Sequence, residues 1–427
     1  MHENRIHLIG IGGIGISALA RHLVHTGHTV SGTNDCESSE TLDGLRAAGV
    51  PISLKIDAQA VPEDVELFVY SDAWLSTAPE FLEEIRARGV PMLSYFEALG
   101  RITRGMRVVL VTGTHGKTTT TAMLAKVFTD GGCAPTVFAG SIMTEYQSNY
   151  VPGTSNLYVV EGCEYRRHFL QFEPHVLVIN NIELDHTDYY TDLKDVQSAF
   201  RALVGRVQTG GVVVTNTDDS AISSVLEGSE VSVVPYQDKT IPTLKVPGAF
   251  NQMNARAAKT AALACVPTVD SCTVDRALAS FTGTWRRFEY KGVTSKGAIV
   301  YDDYAHHPSA MQKTFNMVRE EFPNKRFVAV FHPHLYSRTK QFFDPFAWAL
   351  TIPDEVIVLP VYAARESPDP MVSSERLVMA VSERGGKAHY APTFAAACEQ
   401  LVAYGNDTII LTVGAGDVFT VAQMMVA

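Results

Sequence analysis

Hydrophobic and polar positions along the chain fall into two alternating kinds of segment. Short apolar runs such as Arg5 to Ile9, Leu67-Phe68-Val69-Tyr70, Val108-Val109-Leu110-Val111, Leu157 to Glu161 and Arg326 to Phe331 stop at glycine or polar residues and read as buried strands. The segments Ile16 to Val24, Pro79 to Arg88 and Ala255 to Ala264 instead carry a helical pattern. Further strands are predicted at His28 to Gly32, Val176 to Asn180, Gly211 to Thr215, Gly297 to Tyr301, Glu355 to Leu359 and Thr408 to Thr412. Strands alternating with helices predict an α/β chain whose parallel sheets are covered on both faces. The pattern divides into units of residues 1–103, 104–285 and 286–427. No short repeat or low-complexity linker interrupts them, and no apolar run approaches the length of a membrane span.

Two of the strand-to-helix turns are rich in glycine. After Val111 comes Thr112-Gly113-Thr114-His115-Gly116-Lys117-Thr118-Thr119, a turn that opens a helix. Backbone N–H groups of such a turn point at phosphates, a lysine adds a point charge, and a hydroxyl following it suits Mg²⁺. The turn is shorter than the general phosphate loop, because Val111 stands where that pattern has its first glycine. The other turn, Gly10-Ile11-Gly12-Gly13-Ile14-Gly15, has the G-x-G-x-x-G spacing of a dinucleotide site. The acidic partner of that spacing is ambiguous here, falling on neutral Asn34 or on Asp35. Two nucleotide-type loops imply two ligands, one of them a diphosphate that is bound but not consumed.

Composition narrows this picture only slightly. With 46% hydrophobic and 19% charged residues among 427, two or three cored domains are expected. The charge balance, 35 basic against 46 acidic residues for a net of −11, argues against a nucleic-acid partner, and no basic cluster offsets it. Six cysteines at 36, 133, 163, 265, 272 and 398 are scattered without C-x-x-C spacing and read as reduced residues, mostly core filler. With Met1-His2-Glu3-Asn4 leading straight into a strand, a cytoplasmic protein without membrane attachment is expected.

The remaining polar chemistry sits at strand ends, where parallel sheets bind ligands. Glu161 and Glu164 follow one strand, and Glu183-Leu184-Asp185-His186-Thr187-Asp188 follows another. A carboxylate and an imidazole there suit a metal beside phosphates. Asn251 and Asn254, at i, i+3, read either as helix capping or as adenine recognition. Asp302-Asp303-Tyr304-Ala305-His306-His307 and His332-Pro333-His334-Leu335-Tyr336-Ser337-Arg338 close two strands of the last unit, with no helical zinc spacing.

Together these motifs resemble the Mur ligase family. The resemblance rests on the Gly10–Gly15 loop, Thr112 to Thr120, Ile182 to Asp188, Asn251-x-x-Asn254, Gly283-x-x-Arg286-Arg287-Phe288-Glu289 and Asp302-Asp303-Tyr304-x-His306-His307-Pro308, spread in family order over the chain. It implies an N-terminal Rossmann-like domain, a central P-loop ATPase-type parallel sheet and a C-terminal Rossmann-like domain. The implied reaction is ATP-dependent amide formation between UDP-N-acetylmuramate and L-alanine through an acyl phosphate, with Mg²⁺. Gly10, Gly12, Gly13, Ile14, Gly15 and Ser71 would hold the UDP-sugar. Gly113, Thr114, His115, Gly116, Lys117, Thr118, Thr119, Asn251, Asn254, Arg287 and Asp303 would hold ATP. Thr118, Glu161 and His186 would hold metal, and Lys117, Glu161, His186, Arg287 and Asp303 would serve catalysis. His306, His332, Tyr336 and Arg338 are the candidates for the amino acid.

The chain departs from the family in places. Glu161-Gly162-Cys163-Glu164-Tyr165 replaces Glu-Ala-Asp-Glu-Ser, and Ser31-Gly32-Thr33-Asn34 replaces Ser-Gly-Ser-Asp. Ser198-Ala199-Phe200-Arg201 lacks the lysine that later-acting relatives carbamylate, which points to the alanine-adding branch. A monomer or homodimer is expected. The competing readings are a recycling ligase that attaches a tripeptide to the same sugar nucleotide, a nicotinamide-dependent dehydrogenase, and a non-catalytic nucleotide-binding regulator.

Overall fold

The computed structural model describes residues 2–37, 40–364 and 366–426. It contains three sheets, each built around the apolar runs read from the sequence. The first is five-stranded and parallel, in the order Ile52–Ser53, Thr29–Thr33, Arg5–Ile9, Leu67–Tyr70, Met92–Ser94. The second is seven-stranded: Ser232–Pro235, Val212–Thr215, Val176–Ile179, Arg107–Thr112, Leu157–Glu161, Thr136–Met143, Ser148–Val151. The third is six-stranded: Glu289–Val293, Ile299–Asp303, Thr408–Val413, Arg326–Phe331, Glu355–Val358, Ala388–Tyr390.

The chain forms two compact units. One contains Met1–Glu183, Leu193–Lys245 and Gln252–Thr282, and so holds the first two sheets. The other contains Leu184–Asp192, Val246–Asn251 and Gly283–Ala427, and holds the third.

Most pairings are parallel, as the alternation of strands and helices requires. Two edges are not: Ser148–Val151 pairs antiparallel with Thr136–Met143, and Glu289–Val293 pairs antiparallel with Ile299–Asp303. The first hairpin has a job inside the first unit. Asn149 donates from Nδ2 to the Ser17 hydroxyl at 2.9 Å and also to the Ile14 carbonyl, tying the hairpin to the helix Ile14–His25.

Register sets where chemistry can occur. Val111 pairs with Glu161 and Thr112 with Ile179, so residues 113–117, 161–164 and 180–183 leave one end of the second sheet side by side. In the third sheet Val413 pairs with both Asp303 and Phe331, which gathers residues 303–307, 332–338 and 414–417 at one end. Its strands bury alternate residues on opposite faces. Phe327, Ala329 and Phe331 join one cluster with Phe315, Ile409 and Leu411, while Val328 and Val330 join another with Ile357 and Ile410. Burial on both faces is what makes these strands uniformly apolar.

Two buried histidines of the first unit set an acid limit on stability. His7 bridges the hydroxyls of Ser31 and Thr33 at 2.8 and 2.9 Å, and His22 meets the Tyr150 hydroxyl at 3.2 Å. Burial pushes the pKa of each down to about 4. The unfolded chain then binds more protons between pH 6.5 and 4, so stability falls as pH drops through that window. The expected loss approaches about 3 kcal/mol per histidine near pH 4. Thermal unfolding followed from pH 7.5 to 4.5 should show a Tm that falls below pH 6.5. A constant Tm would contradict this.

Candidate functional site

The second sheet builds a phosphate-binding turn from local rules. Gly113 and Gly116 stand at φ +128° and +82°, where a side chain is strained. Gly116 has a further reason: an added Cβ would collide with the Asn254 amide. The helix Lys117–Asp130 begins directly after it with no side-chain cap at Gly116, and its N-terminus points at where a phosphate would sit on such a turn. The turn is held from the neighbouring strand end. Asn181 Oδ1 accepts from the His115 N–H at 2.8 Å, and Asn180 Nδ2 donates to the His115 carbonyl at 3.2 Å and the Thr120 hydroxyl at 3.1 Å. Thr114 and Glu183 exchange hydrogen bonds through the Thr114 hydroxyl, at 2.8 and 3.2 Å. His115 Nε2 lies 3.4 Å from Glu183.

Lys117 and Thr118 each face a carboxylate. Lys117 Nζ donates to the Gly113 carbonyl at 2.6 Å and pairs with Glu164 at 2.9 Å. Burial disfavours the ammonium, but the Glu164 charge outweighs it and raises the lysine pKa. Thr118 Oγ1 donates to Glu161 Oε1 at 2.9 Å, and the Gly140 N–H donates to Glu161 Oε2 at 2.6 Å. A hydroxyl and a carboxylate side by side form a hard oxygen set suited to Mg²⁺. Thr119 is buried in the first helical turn. Cys163, between the two glutamates, is partly buried, and burial pushes its thiol up to about 12, so it is no nucleophile at neutral pH.

The glycine turn of the first sheet is anchored by the adjacent strand. Gly10 and Ile11 donate to the Thr33 carbonyl at 2.8 and 3.2 Å, and Gly13 donates to the Gly10 carbonyl at 2.9 Å. Asn34 Oδ1 accepts from the Gly12 N–H at 2.9 Å, while Asp35 is exposed. The ambiguity over the acidic partner therefore resolves in favour of Asn34 facing the loop. Ile14 and Gly15 begin the following helix, and Ser71 donates its N–H to the Ile9 carbonyl at 3.0 Å beside the turn.

In the second unit, Arg286 and Arg287 have different surroundings. Arg286 is buried, donating to Asp302 at 2.8 Å and to the carbonyls of Gly416 and Gly414 at 2.8 and 2.6 Å. Arg287 is partly exposed over the Tyr304 ring at 5.0 Å. Asp303 accepts from the N–H groups of Phe288 and Ala305 at 2.7 and 2.8 Å. Burial pushes its carboxyl up to about 6, against the pull of Arg287 and these two donors. Asn251 donates to the Pro247 carbonyl at 2.7 Å from inside the helix Ala249–Cys265 and is not its cap. That helix starts earlier than the Ala255 start expected, because Gly248 ends the preceding loop.

The amino-acid candidates separate. Arg338 is 4% exposed and meets Asp185 at 2.9 Å and His334 Nδ1 at 3.1 Å. Arg338 holds Asp185 well below the usual carboxylate range against the penalty of burial. His306 joins this cluster, its ring 6.2 Å from that of His334. Burial first, and Arg338 second, keep His306 neutral. His332 points elsewhere, against Gly416, Tyr362 and Phe394. Burial pushes it down to about 4. Tyr336 opens the helix Tyr336–Gln341. His186 belongs to this unit and sits at φ +52°. Sequence reasoning passed over Asp185, His334, Gly140 and the pair Asn180–Asn181 as site residues. Only the Asp-His and His-Pro-His clustering hinted at two of them.

A phosphate turn backed by paired carboxylates at the end of a parallel sheet defines an α/β nucleotide-binding protein of the ligase or phosphotransfer kind. Comparison with known proteins makes this specific. Residues 5–107 match the Mur ligase family catalytic domain, 111–240 the Mur ligase middle domain and 286–416 the Mur ligase glutamate ligase domain. A UDP-N-acetylmuramate–L-alanine ligase of Clostridium kluyveri is 34% identical, over 99% of this chain and 98% of that protein. The structure of UDP-N-acetylmuramate–alanine ligase MurC from Thermotoga maritima aligns with a TM-score of 0.81 and 29% identity, over 99% and 98% of the two chains. A murein peptide ligase from Psychrobacter arcticus shares the fold at 21% identity and TM-score 0.73, over 99% and 98%. The chain belongs to the Mur ligase family. Among the described residues no helix is long and apolar enough to cross a membrane.

Proposed function

We propose that this protein joins L-alanine to the carboxylate of UDP-N-acetylmuramate at the expense of ATP, a step of peptidoglycan precursor synthesis. The observation that carries the reading is full-length likeness to alanine-adding ligases, combined with Lys117, Thr118 and Glu161 assembled on one phosphate turn. The five-stranded sheet, residues 1–103, would bind the UDP-sugar at Gly10–Gly15 and Ser71. The central part to residue 285 would bind ATP, and residues 286–427 would complete the ATP and amino-acid contacts through Arg287, Asp303 and the Arg338 cluster.

A carboxylate is a poor electrophile, so the reaction needs a leaving group. Transfer of the ATP γ-phosphoryl group to the muramoyl carboxylate supplies one. Lys117 would hold charge on the transferring group, while the turn N–H groups orient the phosphates. The alanine amine then attacks the acyl phosphate, and the tetrahedral intermediate expels phosphate. Thr118 and Glu161, with His186, would hold Mg²⁺, which supplies neutralisation of phosphate charge. Asn251 would contact adenine, with Asn254, which abuts the phosphate turn at Gly116, supporting it.

The recycling reading, a tripeptide ligase, has less support than the alanine-adding one, because its similar structures are either under 25% identical or cover only part of this chain. Competition separates the two: with both amine substrates at equal concentration, the product is expected to carry alanine alone. Preferred incorporation of the tripeptide would overturn the assignment. Asp303 gives a second check. If its carboxylate form supports ATP binding, kcat/KM for ATP should fall as pH drops through about 6. An Asp303→Asn variant should be low at all pH values without that inflection.

A further inference from the structure

The second unit contains a buried carboxylate that no step above uses. Asp185 Oδ1 accepts three hydrogen bonds: from Arg338 Nη2 at 2.9 Å, Arg338 Nε at 3.3 Å and the His186 N–H at 2.7 Å. The Asp185 and Arg338 side chains are 7% and 5% exposed. Arg338 Nη1 meets His334 Nδ1 at 3.1 Å. A guanidinium has five N–H donors, and these contacts engage three. Two remain, the number a carboxylate takes in forked geometry.

A buried ion pair holds a fold together no better than a well-packed apolar pair of the same size. Keeping one here makes sense if the guanidinium is needed in a fixed pose with donors to spare. Asp185 does a second thing with the same oxygen. It caps the backbone N–H of His186, a residue in the left-handed region at φ +52°, where a non-glycine residue is strained.

We propose that Asp185 is a positioning residue: it aims Arg338 at the carboxylate of the incoming amino acid and fixes the backbone that presents His186. The inference deepens the alanine-ligase reading and rests on it. The amino acid is recognised by its carboxylate, through the two spare donors of Arg338. His306 and His334, both in the same cluster, flank that contact.

The test uses the full chain and steady-state phosphate release. Asp185→Asn should raise KM for L-alanine about tenfold or more, with KM for UDP-N-acetylmuramate changed less than about twofold, because the asparagine oxygen still accepts from the His186 N–H and only the charge facing Arg338 is lost. Arg338→Lys should do the same, and the double variant should be no worse than the poorer single one, since both break one link. An unchanged or lower alanine KM in a folded Asp185→Asn protein, or additive effects in the double variant, would overturn the proposal. If Asp185→Asn does not fold, Asp185→Glu, which keeps the charge but displaces it by one methylene, carries the same expectation and the same refutation. Wild-type protein without alanine-dependent phosphate release would instead sink the ligase reading itself.

Discussion

Lys117→Ala is expected to lower the ligation rate by at least about 10²–10³-fold, the scale of losing one charge aimed at a reacting group. Its Nζ is held over the phosphate turn by the Gly113 carbonyl and by Glu164. The substitution also leaves Glu164, 2% exposed, without the cation 2.9 Å away. Removing one partner of a buried pair costs about 3–5 kcal/mol, so the single variant should melt at lower temperature. Lys117→Ala combined with Glu164→Gln separates the two effects. The double variant should regain much of the lost Tm and none of the lost activity. Substantial ligation by either variant would contradict the role assigned to the turn.

The second large effect is expected at a residue with no functional group. Gly140 donates its N–H to Glu161 Oε2, and an added methyl group would fall within the shell of the same carboxylate. Gly140 is not among the positive-φ glycines, so alanine fits the backbone and the strain falls on Glu161. Gly140→Ala should displace that carboxylate from Thr118 and cost about 10²-fold in kcat, as for a misplaced catalytic group. The Mg²⁺ concentration at half-maximal rate should rise, and Tm should stay near that of the parent. A variant with parental Mg²⁺ dependence would show that Glu161 is not held for a metal.

Strands and glycine turns were legible because they are local. Arg326–Phe331 and Leu157–Glu161 begin and end where their apolar runs do. The phosphate turn could be read from the order of Gly113, Gly116 and Lys117, because both glycines stand at positive φ, although the groups that hold the turn, Asn180, Asn181, Asn254 and Glu164, lie far along the chain. The antiparallel edges were not legible: Thr136–Met143 and Ser148–Val151 are buried by contacts with other elements and carry little alternation of their own. The groups that hold the site were harder still. Asp185 and Arg338 are 153 positions apart, Gly140 and Glu161 21 apart, and nothing in either local pattern points to the other. Asn34 was readable only as an ambiguity. Its amide takes up the Gly12 N–H, a hydrogen bond that a carboxylate could equally accept, so the family's aspartate and this asparagine can both brace the turn.

The most direct measurement is phosphate release from ATP by the purified protein with Mg²⁺, UDP-N-acetylmuramate and L-alanine, omitting each component in turn, with the product weighed by mass spectrometry. The expected result is release that requires every component and a sugar nucleotide heavier by one alanine residue. Release without alanine-dependent product, or none under any combination, would contradict the ligase reading.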